Sequence, residues 1–281
     1  MIIKTKKLRS NRIDNTTIKK HLSIQFSLDG FSFCICQPEN DEVLAYSKYL
    51  FDNRINTPEK LLKAIKKIFN SDPELQYSFD SILALHDNEL ITFVPNIFFD
   101  KEHLDLYLKY NNKLLATDFY IYDDIKNQEM KAVYIPYVNV NNFLVDKFGT
   151  FDYRHASSVF VEAVLNNFAS KEVRIFIDLS DTFFKIGITK NRKLLLFNTF
   201  TYRSYEDFIY YILFTAEQLN IDLQQTDVFY LGEINRKKDW IAHLKEYVQN
   251  ATMLQPKELF SEVKINRELP VEEFELFYTK S

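Results

Sequence analysis

Two stretches of this chain, roughly 150 residues apart, carry the same succession of strand, turn and helix patterns. In the first stretch, apolar and polar residues alternate from Leu22 to Leu28, which predicts a half-buried strand. Asp29-Gly30 then predicts a tight type I′ turn, and two more strands follow at about 31–36 and 43–51. The first stretch therefore begins with three antiparallel strands.

A helix and a buried strand complete this first unit. Thr57 and Pro58 are a typical N-cap and first helical residue, and the apolar residues after them have helical spacing as far as Asn70. The run from Ser81 to Leu85 is short and almost wholly apolar. Such a run favours a strand covered on both faces, paired in parallel after a helical crossover.

The second stretch repeats these elements in the same order. Its elements are strands at 173–179, 184–188 and 194–200, a helix at 205–219 and a buried strand at 228–231. Ser204 is the expected N-cap of the helix, with Asp207 at the position that Glu takes in a capping box. We interpret the repeat as an internal duplication, which predicts an α/β protein with two lobes.

The remaining segments set the expected domain organisation. Between the units we expect a strand near 90–94, a helix after Asp100, strands near 118–122 and 130–137, and a helix at about 157–168. A helix at 240–248 and a polar tail from Lys257 follow the second unit. No linker rich in Gly, Pro or Ser separates the halves, so we predict a first lobe at 22–169 and a second at 170–281, sharing one interface.

Residues 1–21 carry many basic side chains and one acid, with no sustained apolar period. This pattern predicts a basic N-terminal arm that is mobile or lies on the surface. A contact with nucleic acid remains open only through this arm, and a solvated tail is the simpler interpretation because no aromatic residues interleave to stack on bases. The basic residues are Lys4, Lys6, Lys7, Arg9, Arg12, Lys19 and Lys20, and the acid is Asp14.

Composition excludes several classes of protein. Hydrophobic residues make up 46% of the 281, with 26 Phe and 17 Tyr, which predicts an aromatic core. The net charge of −4 gives no overall attraction to nucleic acid or anionic membrane. No apolar run is long enough for a membrane span and the N-terminal residues lack a signal-peptide core, so we expect a cytoplasmic protein. Cys34 and Cys36 are expected to be buried thiols, too few for a metal site.

Three segments carry a resemblance to a known family. LSIQFSLDGFSFCI, ITFVPNIFF and KLLLFNTFTYRSYEDFIYYILF are similar to segments of an uncharacterised bacterial family, domain of unknown function 3822. The paired strand and helix units also resemble the actin-like ATPase superfamily, most nearly its pilus-assembly members. The resemblance implies duplicated ribonuclease H-like units, each with a mixed five-stranded sheet and helices, forming the two lobes of an actin-like ATPase fold.

The same resemblance implies where a nucleotide would bind. In members that bind ATP, each hairpin carries Asp-x-Gly, because backbone amides must approach phosphate oxygens while the Asp positions Mg²⁺ or water. In the first hairpin of this chain, Ser27 stands at the Asp position and Asp29 at the Gly position, which leaves Asp29-Gly30 as an ordinary turn. With only 4 Gly in the whole chain, Gly-rich phosphate loops are not expected.

The second hairpin departs from the pattern as well. Asp178 is kept, but Ser180 replaces the glycine and Asp181 adds negative charge where a phosphate would lie. On the adenosine side only Gly232 remains, followed by Glu233. Lys185 and Arg174 are expected to pair with acids such as Asp178 rather than to bind an anion.

The sequence therefore leaves two functions open. The first is a non-catalytic binding or scaffold module with no cofactor, whose partner is another protein. The alternative is a divergent ATPase or kinase that binds ATP and Mg²⁺ in the cleft between the lobes. Its candidate site residues are Asp29, Gly30, Asp178, Ser180 and Gly232. No catalytic residue or metal ligand is assigned, and a nuclease is disfavoured because no clustered acidic set is recognisable.

Overall fold

The structure is a computed structural model that describes residues 2–40, 42–52, 55–109, 114–115, 117–232, 237–254 and 274–278. Its strands are β1 Ile2–Arg9, β2 His21–Phe26, β3 Gly30–Gln37, β4 Glu42–Phe51, β5 Ser81–His86, β6 Ile91–Pro95, β7 Ile121–Asp124, β8 Met130–Tyr134, β9 Asp152–His155, β10 Arg174–Leu179, β11 Phe183–Lys190, β12 Lys193–Thr201, β13 Asp227–Gly232 and β14 Asn250–Met253. Its α-helices are α1 Pro58–Ser71, α2 Asp105–Leu108, α3 Val138–Phe148, α4 Ala156–Asn167, α5 Tyr205–Gln218, α6 Lys238–Tyr247 and α7 Glu275–Tyr278.

The first sheet contains the three predicted antiparallel strands and three others. Its spatial order is β1-β4-β3-β2-β5-β9, and β2 pairs antiparallel with β3 and parallel with β5, as the sequence predicted. The sheet has six strands rather than the expected five because β1 adds an outer edge next to β4.

The turn between β2 and β3 differs from the prediction. Neither Asp29 nor Gly30 has a positive φ, so the expected type I′ turn is wrong. Gly30 is needed for another reason, because a Cβ atom there would lie 2.6 Å from the backbone oxygen of Tyr49 on β4. The left-handed geometry of a type I′ turn occurs instead between β11 and β12, where Asn191 and Arg192 have φ of 53° and 63°.

Residues 2–9 of the basic arm, which was predicted to be mobile or to lie on the surface, form the edge strand β1, whose described side chains are exposed or half-buried. Lys4 lies 2.6 Å from the carboxylate of Asp72 and Lys7 lies 2.9 Å from that of Glu74. Asp72 and Glu74 belong to a buried turn after α1 and need positive partners there. These two acids therefore explain the positive charges of Lys4 and Lys7, and Ile13 just beyond the strand is fully buried in the core.

Two helices cover the first sheet. Thr57 caps α1 as predicted, since its hydroxyl accepts a hydrogen bond from the backbone of Lys60. Helix α3 was missed by the sequence analysis because it is rich in Asn, a poor helix former. It packs against α1, and its buried residues Val140 and Leu144 join the core that also contains Phe69. Tertiary packing thus stabilises a helix whose local propensity is weak.

A small antiparallel sheet lies within the same part of the chain. Its order is β6-β8-β7, at positions close to the strands expected near 90–94, 118–122 and 130–137. The helix expected after Asp100 is the short α2. The sheet and α2 share a small core of Val94, Leu108, Val133 and Ile135.

The second sheet has five strands in the order β12-β11-β10-β13-β14. This order corresponds strand for strand to β4-β3-β2-β5-β9 in the first sheet, including the parallel pairs β10–β13 and β13–β14. The hydroxyl of Ser204 accepts from the backbone of Asp207 and caps α5. Helix α5 buries Phe208 and Ile212, but Tyr210 and Phe214 are 58% and 43% exposed, so only one of its faces is buried.

The chain forms two compact units, and their division differs from the predicted lobes. Unit 1 runs to Val159 and includes α7, which packs on β2 and β3; unit 2 begins at Phe160. The division thus falls inside α4 rather than after residue 169, and α7 does not belong to the second lobe. The predicted polar tail from Lys257 lies outside the described residues as far as residue 273. Within the described part of the chain, no helix is long and apolar enough to span a membrane.

Candidate functional site

Two of the five predicted site residues lie at the hairpin of β10 and β11 in unit 2: Asp178 near the end of β10 and Ser180 in the turn that follows. The backbone N–H of Ser180 donates to the oxygen of Phe183 at 2.9 Å, which closes a four-residue turn. The hydroxyl of Tyr202 donates to the backbone oxygen of Ser180, and its N–H donates to that of Thr182 at 3.0 Å. The turn is therefore held from outside by one aromatic residue that follows β12.

Asp178 at the end of β10 forms a buried ion pair. It lies opposite Lys185 in the antiparallel register, and the Lys185 Nζ is 3.4 Å from the Asp178 Oδ2. The two side chains are only 2% and 5% exposed, so solvent does not screen their attraction. The sequence expectation that Lys185 pairs with Asp178 is confirmed. Arg174, by contrast, donates to the backbone oxygen of Phe168 and lies over the Phe229 ring.

Gly232 lies directly beside this ion pair. It is opposite Leu179 in the parallel register of β10 and β13, and its φ of 96° is unfavourable for other residues. A Cβ at this position would lie 2.1 Å from the Leu179 backbone oxygen and 2.8 Å from the Asp178 Oδ1. The structure thus brings Asp178 and Gly232 into contact, and the glycine is required for packing. Glu233 lies outside the described residues.

A second lysine, which the sequence analysis missed, reaches the same turn. The Lys237 Nζ donates to the backbone oxygen of Asp181 at 3.3 Å and lies 4.6 Å from the Tyr202 ring centre and 4.0 Å from that of Trp240. These contacts combine a hydrogen bond with two cation–π interactions. The sequence contains no signal for this arrangement, because Tyr202 and Lys237 are distant in the chain and meet only through the fold.

The corresponding turn in unit 1 is closed by its own polar groups. The Ser27 hydroxyl accepts from the Asp29 N–H at 3.1 Å, and the Ser27 N–H donates to the Gly30 oxygen at 3.0 Å. The Asp29 oxygen in turn accepts from the N–H of Phe51. The backbone groups of Asp29 and Gly30 therefore take part in strand pairing on both sides of the turn.

Next to this turn, β5 ends in a buried histidine, His86. Its Nδ1 accepts from the backbone N–H of Tyr137 at 3.0 Å, and its Nε2 lies 2.9 Å from the Oδ1 of Asn141. Burial lowers the pKa of His86 to about 3, so the ring is neutral. Because Nδ1 accepts a hydrogen bond, Nε2 carries the proton and donates a hydrogen bond to the Asn141 Oδ1. This pair was not predicted, because nothing in the sequence spacing of the two residues links them.

An open pocket of about 630 Å³ lies beside Asn141 in unit 1. Helix α3 supplies one wall, and residues that precede β7 or surround the start of β9 supply the other. Its lining is mainly apolar and aromatic, with two amides and two hydroxyls. A volume in this range with such a lining is typical of binding sites.

The residues in the two turns do not fit ATP and Mg²⁺. The carboxylate that would face the metal is paired with the ammonium group of Lys185, and Ser180 stands in place of the glycine. Among the residues that the structure describes, no group of three or more His, Cys, Asp or Glu side chains could hold a metal ion. The hairpin therefore contains a buried ion pair in place of a phosphate loop.

Comparison with known protein families identifies the family of this chain. The family model described as "Protein of unknown function (DUF3822)" matches residues 10–251. The chain belongs to the DUF3822 family. This confirms the resemblance seen in the three sequence segments. No curated protein matches the chain.

Solved structures show that this DUF3822 protein has an actin-like ATPase fold. It is similar to a Bacteroides thetaiotaomicron protein with an actin-like ATPase fold and unknown function, at a TM-score of 0.80 and 20% identity, covering 95% of this chain and 99% of the other. It is also similar to a chain of a PilM–PilN type IV pilus biogenesis complex, at a TM-score of 0.59 and 9% identity, covering 92% and 96%. The ethanolamine utilization protein EutJ from Carboxydothermus hydrogenoformans gives 0.50 and 8%, covering 96% and 95%. At these identities the likeness is one of fold alone.

Proposed function

We propose that this DUF3822 protein is a non-catalytic binding module that recognises another protein and does not use ATP. The ion pair between Lys185 and Asp178 carries the proposal. On the family pattern, the Asp178 carboxylate would position Mg²⁺ or water, and here an ammonium group already neutralises it at a buried position. A divalent cation would have to displace that ammonium group and break the buried ion pair of Lys185 with Asp178, which is costly.

The neighbouring turn supports the same conclusion. Asp181 lies in the segment that would face a phosphate, so its charge would repel one. The backbone N–H of Ser180 is already used to close the turn. Phosphate loops depend on backbone N–H groups that are free to donate to an anion. The charge of Asp181 and the engaged N–H of Ser180 therefore both disfavour phosphate binding at this turn.

A protein is the better supported partner. The PilM fold relative was solved in a complex with PilN, so this fold is compatible with a binding role. Nucleic acid is less favoured because Lys4, Lys7 and Arg9 of β1 are each within ion-pair distance of an acidic side chain. Basic groups held in this way contribute less to phosphate neutralisation. Location in the cytoplasm stays a prediction.

Isothermal titration calorimetry with Mg-ATP tests the loss of nucleotide binding. The wild-type chain is expected to show no saturable heat at millimolar nucleotide. A dissociation constant in the micromolar range would contradict the proposal. If that binding were lost in Asp178→Asn but kept in Asp227→Asn, a control on the adjacent strand β13, the divergent ATPase or kinase would be the correct alternative.

A further inference from the structure

The pocket beside α3 has the shape of an open groove. We call it the α3 groove and define it by Phe119, Val138, Asn141, Val145, Phe151 and Tyr153. Phe119, Val138 and Val145 are 54%, 40% and 53% exposed, which is unusual for large apolar side chains that line one concave surface. None of the residues that line it carries a charge. The groove therefore favours an uncharged, apolar occupant.

The helical wall has a regular spacing. Val138, Asn141, Asn142 and Val145 follow the i, i+3, i+4, i+7 pattern, so they form one stripe along α3. Seven residues of helix rise about 10 Å, a length that about three residues of extended chain would span. The groove is thus long enough to contact a short extended segment along its backbone.

The last strand of a sheet contributes to the opposite wall. Strand β9 is the last strand of the six-stranded sheet in the described part of the chain, and its residue Tyr153 lines the groove. At the far end of this strand, the His155 N–H donates to the carboxylate of Asp123 at 2.9 Å, which covers that end of the edge. An extended chain in the groove would lie beside the other end of β9, near Tyr153, as in peptide recognition by strand addition.

Asn141 provides a hydrogen-bond donor of fixed orientation. Its Oδ1 accepts a hydrogen bond from the His86 Nε2–H, and the tautomer of this ring is set by the Tyr137 N–H, which donates to the other ring nitrogen. The amide is therefore not free to rotate by half a turn, and its Nδ2 is the group available to a ligand in the groove. A fixed N–H donor in an apolar groove suits a carbonyl oxygen.

From these features we infer that the α3 groove binds an extended, apolar peptide segment of a partner protein, with one backbone carbonyl of the peptide accepting from the Asn141 Nδ2. The open form of the groove favours a chain that passes through it over an enclosed small molecule. The inference rests on the proposed function in that the occupant is part of another protein. It deepens that function by giving the partner's chemistry and its place on unit 1.

The test uses a phage library of random heptapeptides selected on the immobilised full chain. Enriched peptides are synthesised with a fluorescent label, and their affinities are measured by fluorescence anisotropy. Val145→Lys places a charge in the groove at an exposed helical position, so the fold is retained. Phe214→Lys is the matched control, because it makes the same change at an exposed apolar position on α5 in unit 2. Phe119→Ser is a second groove variant outside α3.

Enriched peptides are expected to be apolar, to bind wild type and Phe214→Lys equally, and to bind Val145→Lys and Phe119→Ser at least tenfold more weakly. A shift of the Asn141 side-chain amide resonances on peptide addition is expected as well. Failure of the library to enrich, or equal binding to both groove variants and the control, would overturn the inference. Either result would leave the Mg-ATP titration unaffected, so failure of the groove and failure of the proposed function are distinguishable.

Discussion

Replacing Lys185 with methionine isolates the ion pair on which the proposed function depends. Methionine keeps most of the volume of the lysine side chain and removes its charge. At a separation of 3.4 Å and an effective dielectric constant of about 20, the attraction between the two charges is about 5 kcal/mol. The variant leaves the Asp178 carboxylate buried without this partner, so we expect the free energy of unfolding to fall by about 3–5 kcal/mol.

Urea unfolding at pH 7, followed by circular dichroism, measures this loss. Lys190→Met is the matched control, because Lys190 is on the same strand but exposed, and we expect it to change stability by less than about 0.5 kcal/mol. The double variant Asp178→Leu, Lys185→Met should recover most of the loss, since it removes both buried charges. A loss below 1 kcal/mol in Lys185→Met, or a double variant less stable than Lys185→Met alone, would refute the reasoning.

Three further outcomes follow from the structure. Gly232→Ala should lower the free energy of unfolding by more than about 2 kcal/mol in the same urea assay. The reason is that the alanine Cβ would collide with the Leu179 backbone and that the φ at this position is positive. An unchanged free energy of unfolding would contradict that geometry. The pKa of His86 is about 3 in the folded state against 6.5 for a free side chain, so the unfolded state binds its proton first as the pH falls. Stability should therefore decrease by about 2 kcal/mol from pH 7 to pH 5, and a His86→Gln variant with the same slope would exclude this cause. Deleting residues 1–9 should lower the urea midpoint strongly because Asp72 and Glu74 lose their basic partners. An unchanged midpoint would show that this segment does not stabilise the fold.

Local sequence patterns, which involve residues only a few positions apart, were sufficient to predict many of the strands and helices. The alternation around Ile24 and Ile177, and the caps at Thr57 and Ser204, depend on neighbours within a few residues, and the structure contains each of these elements. The family resemblance then supplied the overall arrangement. The strand β1 and the helix α3 were not predicted, because one depends on distant acids and the other on packing against α1.

The candidate site was predictable only in part. Loss of the glycine at Ser180 and the pairing of Lys185 with Asp178 were visible in the sequence, since the two strands are joined by a short turn. The contact of Lys237 with Tyr202 and the donor fixed on Asn141 were not, because each joins residues far apart in the chain.

The sequence by itself determined the succession of hairpins, helices and buried strands, because hydrophobic periodicity and helix caps act locally. Only the tertiary structure decided what the charged and polar side chains do. Lys4 and Lys7 form ion pairs with buried acids, Gly232 serves packing, and His86 orients Asn141, which lines a groove. Burial and partner distance control the energy of a charge or a hydrogen bond, and both are properties of the folded chain that no local pattern contains.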